Sequence, residues 1–307
     1  MITSLYRIVT IGRNTLTEAI RQKVLSVLLI FALVLVASSV GISDLATPEL
    51  NSAGMFDAQI KFVKDFGCGS IGLFGFLITL LSTAQLIPQE LHNRTIYTIL
   101  AKPVRRSEFL LGKFFGMVLL LTLCTALMSL AFVGTLYWQE NKALSLTEAI
   151  DLQNPAWRSN PVAMSHYQAD VQSVLTQTRD PQLVEAVLLI YAKLLMTTAI
   201  ALLISTFATS SIFTIVTTFM IYLIGHLEST AREFWLARGA EISVLQSGLV
   251  GLISLLIPDM NSFTIVDEIL AGNKVPWHDA LSLIGYANVY IIVLLAVSIV
   301  IFDYREI

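Results

Sequence analysis

Charge is what this sequence has least of. Only 13% of its 307 residues are Asp, Glu, Lys or Arg, about half the share of an ordinary soluble domain. A soluble globular protein is excluded on that ground. Cysteine is nearly absent, and Cys68 and Cys124 both fall inside apolar runs, so neither a disulfide framework nor a thiolate metal site is indicated. The four histidines (His92, His166, His226, His278) are scattered, and the eight methionines form no M-x-x-M cluster, which leaves metal handling without ligands at the required spacing. A G-x-x-x-x-G-K-[ST] phosphate loop is missing, so the chain cannot supply a nucleotide site of that kind itself. No internal repeat is present.

What fills the sequence is apolar residues, at 55%. The uncharged runs from Val24 to Ser43, Phe66 to Gln89, Phe114 to Gln139, Leu194 to Leu227 and Ala280 to Phe302 reach or exceed the roughly 20 residues an α-helix needs to cross a bilayer. They lack period-two alternation, so they are helices and not barrel strands. The fourth run is too long for one helix, and Thr206 to Ser211 (TFATSS) in its middle suits a tight turn. The expected fold is an all-α integral membrane protein forming one transmembrane domain over 1–307, with six spans at about 24–43, 67–88, 112–138, 185–206, 211–227 and 280–302. The connections 44–65, 139–184 and 228–279 are read as extracytoplasmic loops, the second ending in a helix that starts near Pro181. The run 242–258 is short for a span and is read as a re-entrant or interfacial segment. No cleavable signal peptide is evident, since the first apolar run is a full-length span with no clear A-x-A-like site after it.

With the N-terminus in the cytoplasm, the inner segments 1–23, 90–113, the TFATSS turn and 303–307 carry ten basic and five acidic residues, against nine and seventeen in the longer outer segments. The positive-inside rule favours this orientation, with both termini cytoplasmic. In segment 1–23, Ile2, Leu5, Val9, Gly12, Leu16 and Ile20 share one helical face and Arg7, Asn14, Glu18 and Arg21 another. This reads as an amphipathic helix lying along the inner leaflet, or as an ordinary juxtamembrane helix.

Residues 89–113, QELHNRTIYTILAKPVRRSEFLLGK, gather five basic side chains between two very apolar runs. Arg105, Arg106 and Lys113 are accounted for by an ordinary cytoplasmic loop. The interior is not: TIYTILA has the apolar content of a short helix, Pro103 stops it, and Ser107 with Glu108 starts the next span. A short semi-apolar helix at about 90–102 fits a docking element for a cytoplasmic partner.

The order Glu90, Thr95, Ile96, Ile99, Leu100, then Lys102-Pro103-Val104 and Arg106, then Leu111-Gly112-Lys113, closely resembles the signature of type-2 (ABC-2) permeases of ABC exporters. Arg94 stands where that family usually has glycine. The N-terminal helix, the turn between spans four and five and the closing YANVYIIVLLAVSIVIFDYREI extend the resemblance along the chain. The resemblance implies a permease that receives the ATPase power stroke through Glu90, Arg94, Thr95, Ile96, Ile99, Leu100, Pro103, Val104 and Arg106. It implies no enzyme activity in the chain itself and no cofactor bound directly. ATP and Mg would sit in two cytoplasmic ABC subunits, the other partners being a second permease copy or homologue and the bilayer, with no nucleic acid. Two other classes were weighed against it. An intramembrane enzyme would need a facing nucleophile and base, for which Gly67 to Ser70 (GCGS) with His226 is the nearest set; a non-transporting scaffold would be told apart by the absence of a co-encoded ATP-binding cassette protein.

Overall fold

The computed structural model describes residues 2–46, 55–88, 90, 105–152, 161–237 and 257–305. Among them every regular element is helical. In chain order these are α1 (Ile2–Ile20), α2 (Lys23–Ala46), α3 (Met55–Gln85), α4 (Arg106–Leu152), α5 (Pro161–Thr178), α6 (Gln182–Phe207), α7 (Ser211–Ala237), a 3-10 turn at Asn261–Thr264, α8 (Ile265–Leu270) and α9 (Trp277–Tyr304). Six stretches are long and apolar enough to cross a membrane: Lys23–Leu45, Asp57–Gln85, Arg106–Glu148, Met164–Phe207, Ser211–Glu228 and Trp277–Tyr304. The break between α6 and α7 falls in the TFATSS cluster, and α6 begins behind Pro181, whose missing N–H costs nothing at a helix start.

The bundle is turned inside out relative to a soluble protein. Large apolar side chains on α2, α4, α7 and α9, among them Phe31, Leu130, Ile212 and Ile292, are exposed. Thr79, Thr83, Thr197, Thr198, Ser205 and Thr218 are buried. In hydrocarbon there is no hydrophobic gain in hiding leucine, so helices associate through small residues and close van der Waals contact. The buried hydroxyls of Thr197, Thr198 and Ser205 donate to carbonyls of Lys193, Leu194 and Leu202 in their own helix, which satisfies them without a partner helix. Helix α6 lies at the centre, packed against α3, α4, α7, α8 and α9.

One end of the bundle collects α1, the start of α4, the α6–α7 turn and the end of α9; we call it the terminal end and its opposite the distal end. Helix α1 lies directly on α4. A β-carbon added at Gly116 would come within 2.7 Å of the Gly12 carbonyl, and one at Gly112 within 2.7 Å of Ile11 Cβ, so Gly112-x-x-x-Gly116 admits α1 to backbone contact. The face of α1 turned to α4 is therefore the small one, with Gly12, Thr15 and Ala19 buried, while Leu5, Val9 and Ile20 of the apolar stripe stay exposed.

The distal end differs from expectation. Segments 44–65 and 139–184, read as loops, are helical for much of their length: α2 runs to Ala46, α3 starts at Met55, α4 continues to Leu152, and α5 occupies Pro161–Thr178. Their helices are too polar for an apolar-run criterion to reveal. They hold together through a small core of Ile60, Ala143 and Val174. Around it Glu140 takes Arg179 Nη2 at 2.6 Å and the Thr178 hydroxyl at 2.8 Å, and Gln177 donates to Asp57 at 2.8 Å. Helix α8 ends in a Schellman motif in which Gly272 takes φ +87° and the Asn273 N–H reaches the Glu268 carbonyl at 3.1 Å. Of the run 242–258, only 257 and 258 fall within the described residues.

Candidate functional site

The terminal end is cross-braced by charge, and the two flanks of the 89–113 stretch are its anchor points. Arg106 opens α4. The Glu108 carboxylate two residues later turns back to accept the Arg105 N–H at 3.2 Å, the acceptor half of a capping box. Glu108 also takes Arg7 of α1 at 3.4 Å. Seven residues into α4, Lys113 is 2% exposed and donates to Glu90 Oε1 at 2.5 Å, with Glu18 of α1 at 3.7 Å. Glu90 itself is 7% exposed. Burial lifts its carboxyl above the usual carboxylate range; the Lys113 ammonium opposes that rise and Glu18 adds to it.

Arg106 reaches the other way. Its Nη1 donates to the carbonyls of Phe302, Asp303 and Arg305 at 2.9, 3.0 and 2.8 Å. These carbonyls at the end of α9 have no partner within the helix, and they carry the negative end of its dipole, so a guanidinium suits them. The Phe109 and Phe302 rings stack below at 5.9 Å. Arg305 repeats the arrangement one step further on, donating to the carbonyls of Thr206 and Ala208 at the α6–α7 turn. The start of α4 is thus linked through hydrogen bonds to α1 and α9, and the end of α9 through Arg305 to the turn joining α6 and α7.

Of the residues singled out from the sequence, Glu90 and Arg106 are brought into this hub. Arg94, Thr95, Ile96, Ile99, Leu100, Pro103 and Val104 lie outside the described residues. Sequence reasoning missed Lys113 as the partner of Glu90, Glu18 and Arg7 on α1, and Arg305 as a brace. The signal available for Lys113 was its position inside an otherwise apolar helix, where an isolated charge needs a counter-charge. The Gly67–Ser70 alternative gains nothing. The Ser70 hydroxyl donates to the Phe66 carbonyl at 2.7 Å, while His226 faces Lys193 at 2.9 Å.

The arrangement holds no nucleophile activated by a base; its chemistry is that of bracing. Among curated proteins there is no match to the chain at a significant level. Residues 9–307 match the family described as ABC-2 family transporter protein, and the six membrane-capable helices, the hub and that match together place this chain in the family, as a multi-pass membrane permease component.

Proposed function

We propose that the chain is the permease subunit of an ATP-driven exporter in a bacterial cytoplasmic membrane, with the terminal end on the cytoplasmic side. Two ATP-binding cassette subunits dock on the helix carried by residues 90–102, and a second permease copy or homologue completes the translocation path. ATP and Mg bind in those partners, whose closure pushes on Glu90, Arg94, Thr95, Ile96, Ile99, Leu100, Pro103, Val104 and Arg106. α1 lies along the inner leaflet, its exposed Leu5, Val9 and Ile20 meeting lipid.

The observation that carries this reading is that both flanks of the docking segment are fastened to different helices: Glu90 to Lys113 of α4 and Arg106 to the end of α9. A loop needed only to reverse the chain has no use for such fastening, whereas a loop that receives force does. Purification of the chain from its native membrane is expected to bring a cassette ATPase with it. Insertion of two residues into TIYTILA is expected to abolish transport while ATP hydrolysis and membrane insertion persist; transport that survives the insertion would refute the docking role. An apolar or amphipathic substrate fits spans so poor in charge, and stimulation of the reconstituted ATPase by small inorganic ions but not by amphiphiles would count against it.

A further inference from the structure

Helix α3 carries two kinds of glycine. Gly67 and Gly75 are contact glycines, since a β-carbon there would come within 2.3 Å of the Phe132 ring and 2.4 Å of Leu194. Gly69 and Gly72 are not: a β-carbon at Gly69 meets nothing within 4 Å, and one at Gly72 meets only Ile190 at 4.0 Å. Helix packing gives no reason for glycine at either place. What both border is a cavity of about 800 Å³ between α3, α6, α7 and α8, within the size range of small-molecule sites.

The floor and one wall of the cavity are apolar, formed by Leu73 and Phe76 of α3 and Phe219 of α7. Lys193 stands above them. It lies fourteen residues before the terminal end of α6, about 21 Å along the helix, in the distal part of a hydrocarbon layer of roughly 30 Å that starts at that end. His226 is fifteen residues from the corresponding end of α7, at about the same height. The Lys193 Nζ lies 2.9 Å from His226 Nε2 and 5.6 Å from the centre of the Tyr222 ring. Neither is an anion, and among the described residues no carboxylate lies within ion-pair distance of Lys193. The carboxylates near the cavity stop short of Lys193: exposed Asp267 on α8 and half-buried Asp259 ahead of the 3-10 turn act on it only at longer range, and Asp65 is exposed one turn from Lys61 on α3. A cation near hydrocarbon whose carboxylates stay beyond ion-pair distance gains from any anion that can be brought to it.

We infer that this cavity binds an amphiphile with an acidic head group, a phosphate or carboxylate held by Lys193 beside His226, with its hydrocarbon chain along the open glycine face of α3. The inference deepens the proposed function by naming the substrate class, and it rests on that reading for the step from binding to export. The head-group chemistry is shared by a transported amphiphile and by an anionic bilayer lipid.

The test uses the purified full chain in nanodiscs of phosphatidylcholine, without ATPase, and fluorescent twelve-carbon probes ending in phosphate, hydroxyl or amine. The phosphate probe should bind, and the hydroxyl and amine probes should bind at least about tenfold more weakly, as expected for loss of a charge-assisted hydrogen bond. Lys193→Met should weaken the phosphate probe about ten- to hundredfold, and Lys193→Arg should restore it. Gly69→Leu, which has room to fold, should block all binding by filling the cavity. Equal binding of phosphate and hydroxyl probes, or unchanged binding to Lys193→Met, would overturn the assignment. Displacement of the probe by phosphatidylglycerol would identify bilayer lipid as the source of the same head group, upholding the site. Because no ATPase is present, the site can stand where the exporter reading fails: binding without stimulation of a reconstituted cassette ATPase refutes export alone, and stimulation that ignores Lys193→Met refutes this site alone.

Discussion

The two ends of the bundle treat buried charge differently. At the terminal end every buried charge described above has an opposite charge or a cluster of carbonyls within hydrogen-bond reach: Glu90 has Lys113, Glu108 has Arg7, and Arg106 has the end of α9. At the distal end Glu140 is likewise paired, with Arg179, but Glu185 is 1% exposed and neither of its carboxylate oxygens has a hydrogen-bond partner among the described residues. Lys64, 2% exposed, borders the same cavity of about 1030 Å³ with no ion-pair partner among the described residues. Matched charges fix a geometry, because breaking either partner leaves an uncompensated ion. Unmatched ones leave a region able to change what it contacts. The difference separates an end whose buried charges are paired from one where Glu185 and Lys64 are left over.

Removing Lys113 should break the comparison most severely. Lys113→Met removes the ammonium that lies against buried Glu90 and is expected to cost about 3–5 kcal/mol, read as loss of thermal stability of the purified chain. The double variant Glu90→Gln, Lys113→Met should recover most of that loss, and failure to do so would show that the pair is not the cause. Next in size, Gly116→Leu should cost about 1–3 kcal/mol, and more if α1 detaches from α4, measured by faster proteolysis of the N-terminal segment. Arg106→Lys keeps the charge but cannot hold three carbonyls at once; it is expected to cost about 1–2 kcal/mol and to lower transport more than ATP hydrolysis.

Glu90 also gives a pH test with a definite sign. Its carboxyl binds a proton more readily in the folded state than in the unfolded one, because burial penalises the anion. The protonated form therefore adds stability in acid, and that contribution is lost as pH rises through the folded value. Melting temperature plotted against pH should show this decline in the wild type and a smaller one in Glu90→Gln. Smallest of all, Glu185→Gln at the distal end should be neutral or stabilising by about 1 kcal/mol. Destabilisation comparable to that of Lys113→Met would erase the contrast between the two ends.

How far these features could be read from the sequence follows from their physical cause. Spans are legible because crossing hydrocarbon demands an unbroken apolar run, and the break at TFATSS and the start behind Pro181 are written in residue types with fixed backbone habits. The distal parts of α4 and α5 are hidden, since helices in water need no such run. Helix α1 misleads for a related reason. Leu5, Val9 and Ile20 of its visible apolar stripe remain exposed, while the contact with α4 is made by Gly12 of that stripe together with Ile11, Thr15 and Ala19, the last two of which no hydrophobic pattern marks. Within the hub, Glu90 and Arg106 stood out through a motif, but the Glu90–Lys113 pair joins positions 23 apart and is set only by how α4 lies beside the preceding chain. The open glycines Gly69 and Gly72 cannot be told from the contact glycines Gly67 and Gly75 without knowing what each faces.

Helix α4 runs 47 residues without a proline, about 70 Å of continuous rod, more than twice the thickness of the hydrocarbon it crosses. Its first turn is the one fastened by Arg106 and Glu108, and its last turns carry the distal extension. A tilt of about 10° around its midpoint would move each tip by roughly 6 Å, given a half-length of about 35 Å. Such a rod has equal arms: a shift of its first turn reappears at the far tip at the same size and in the opposite direction, and a tilt of about 10° carries that tip further than the rise of one helical turn.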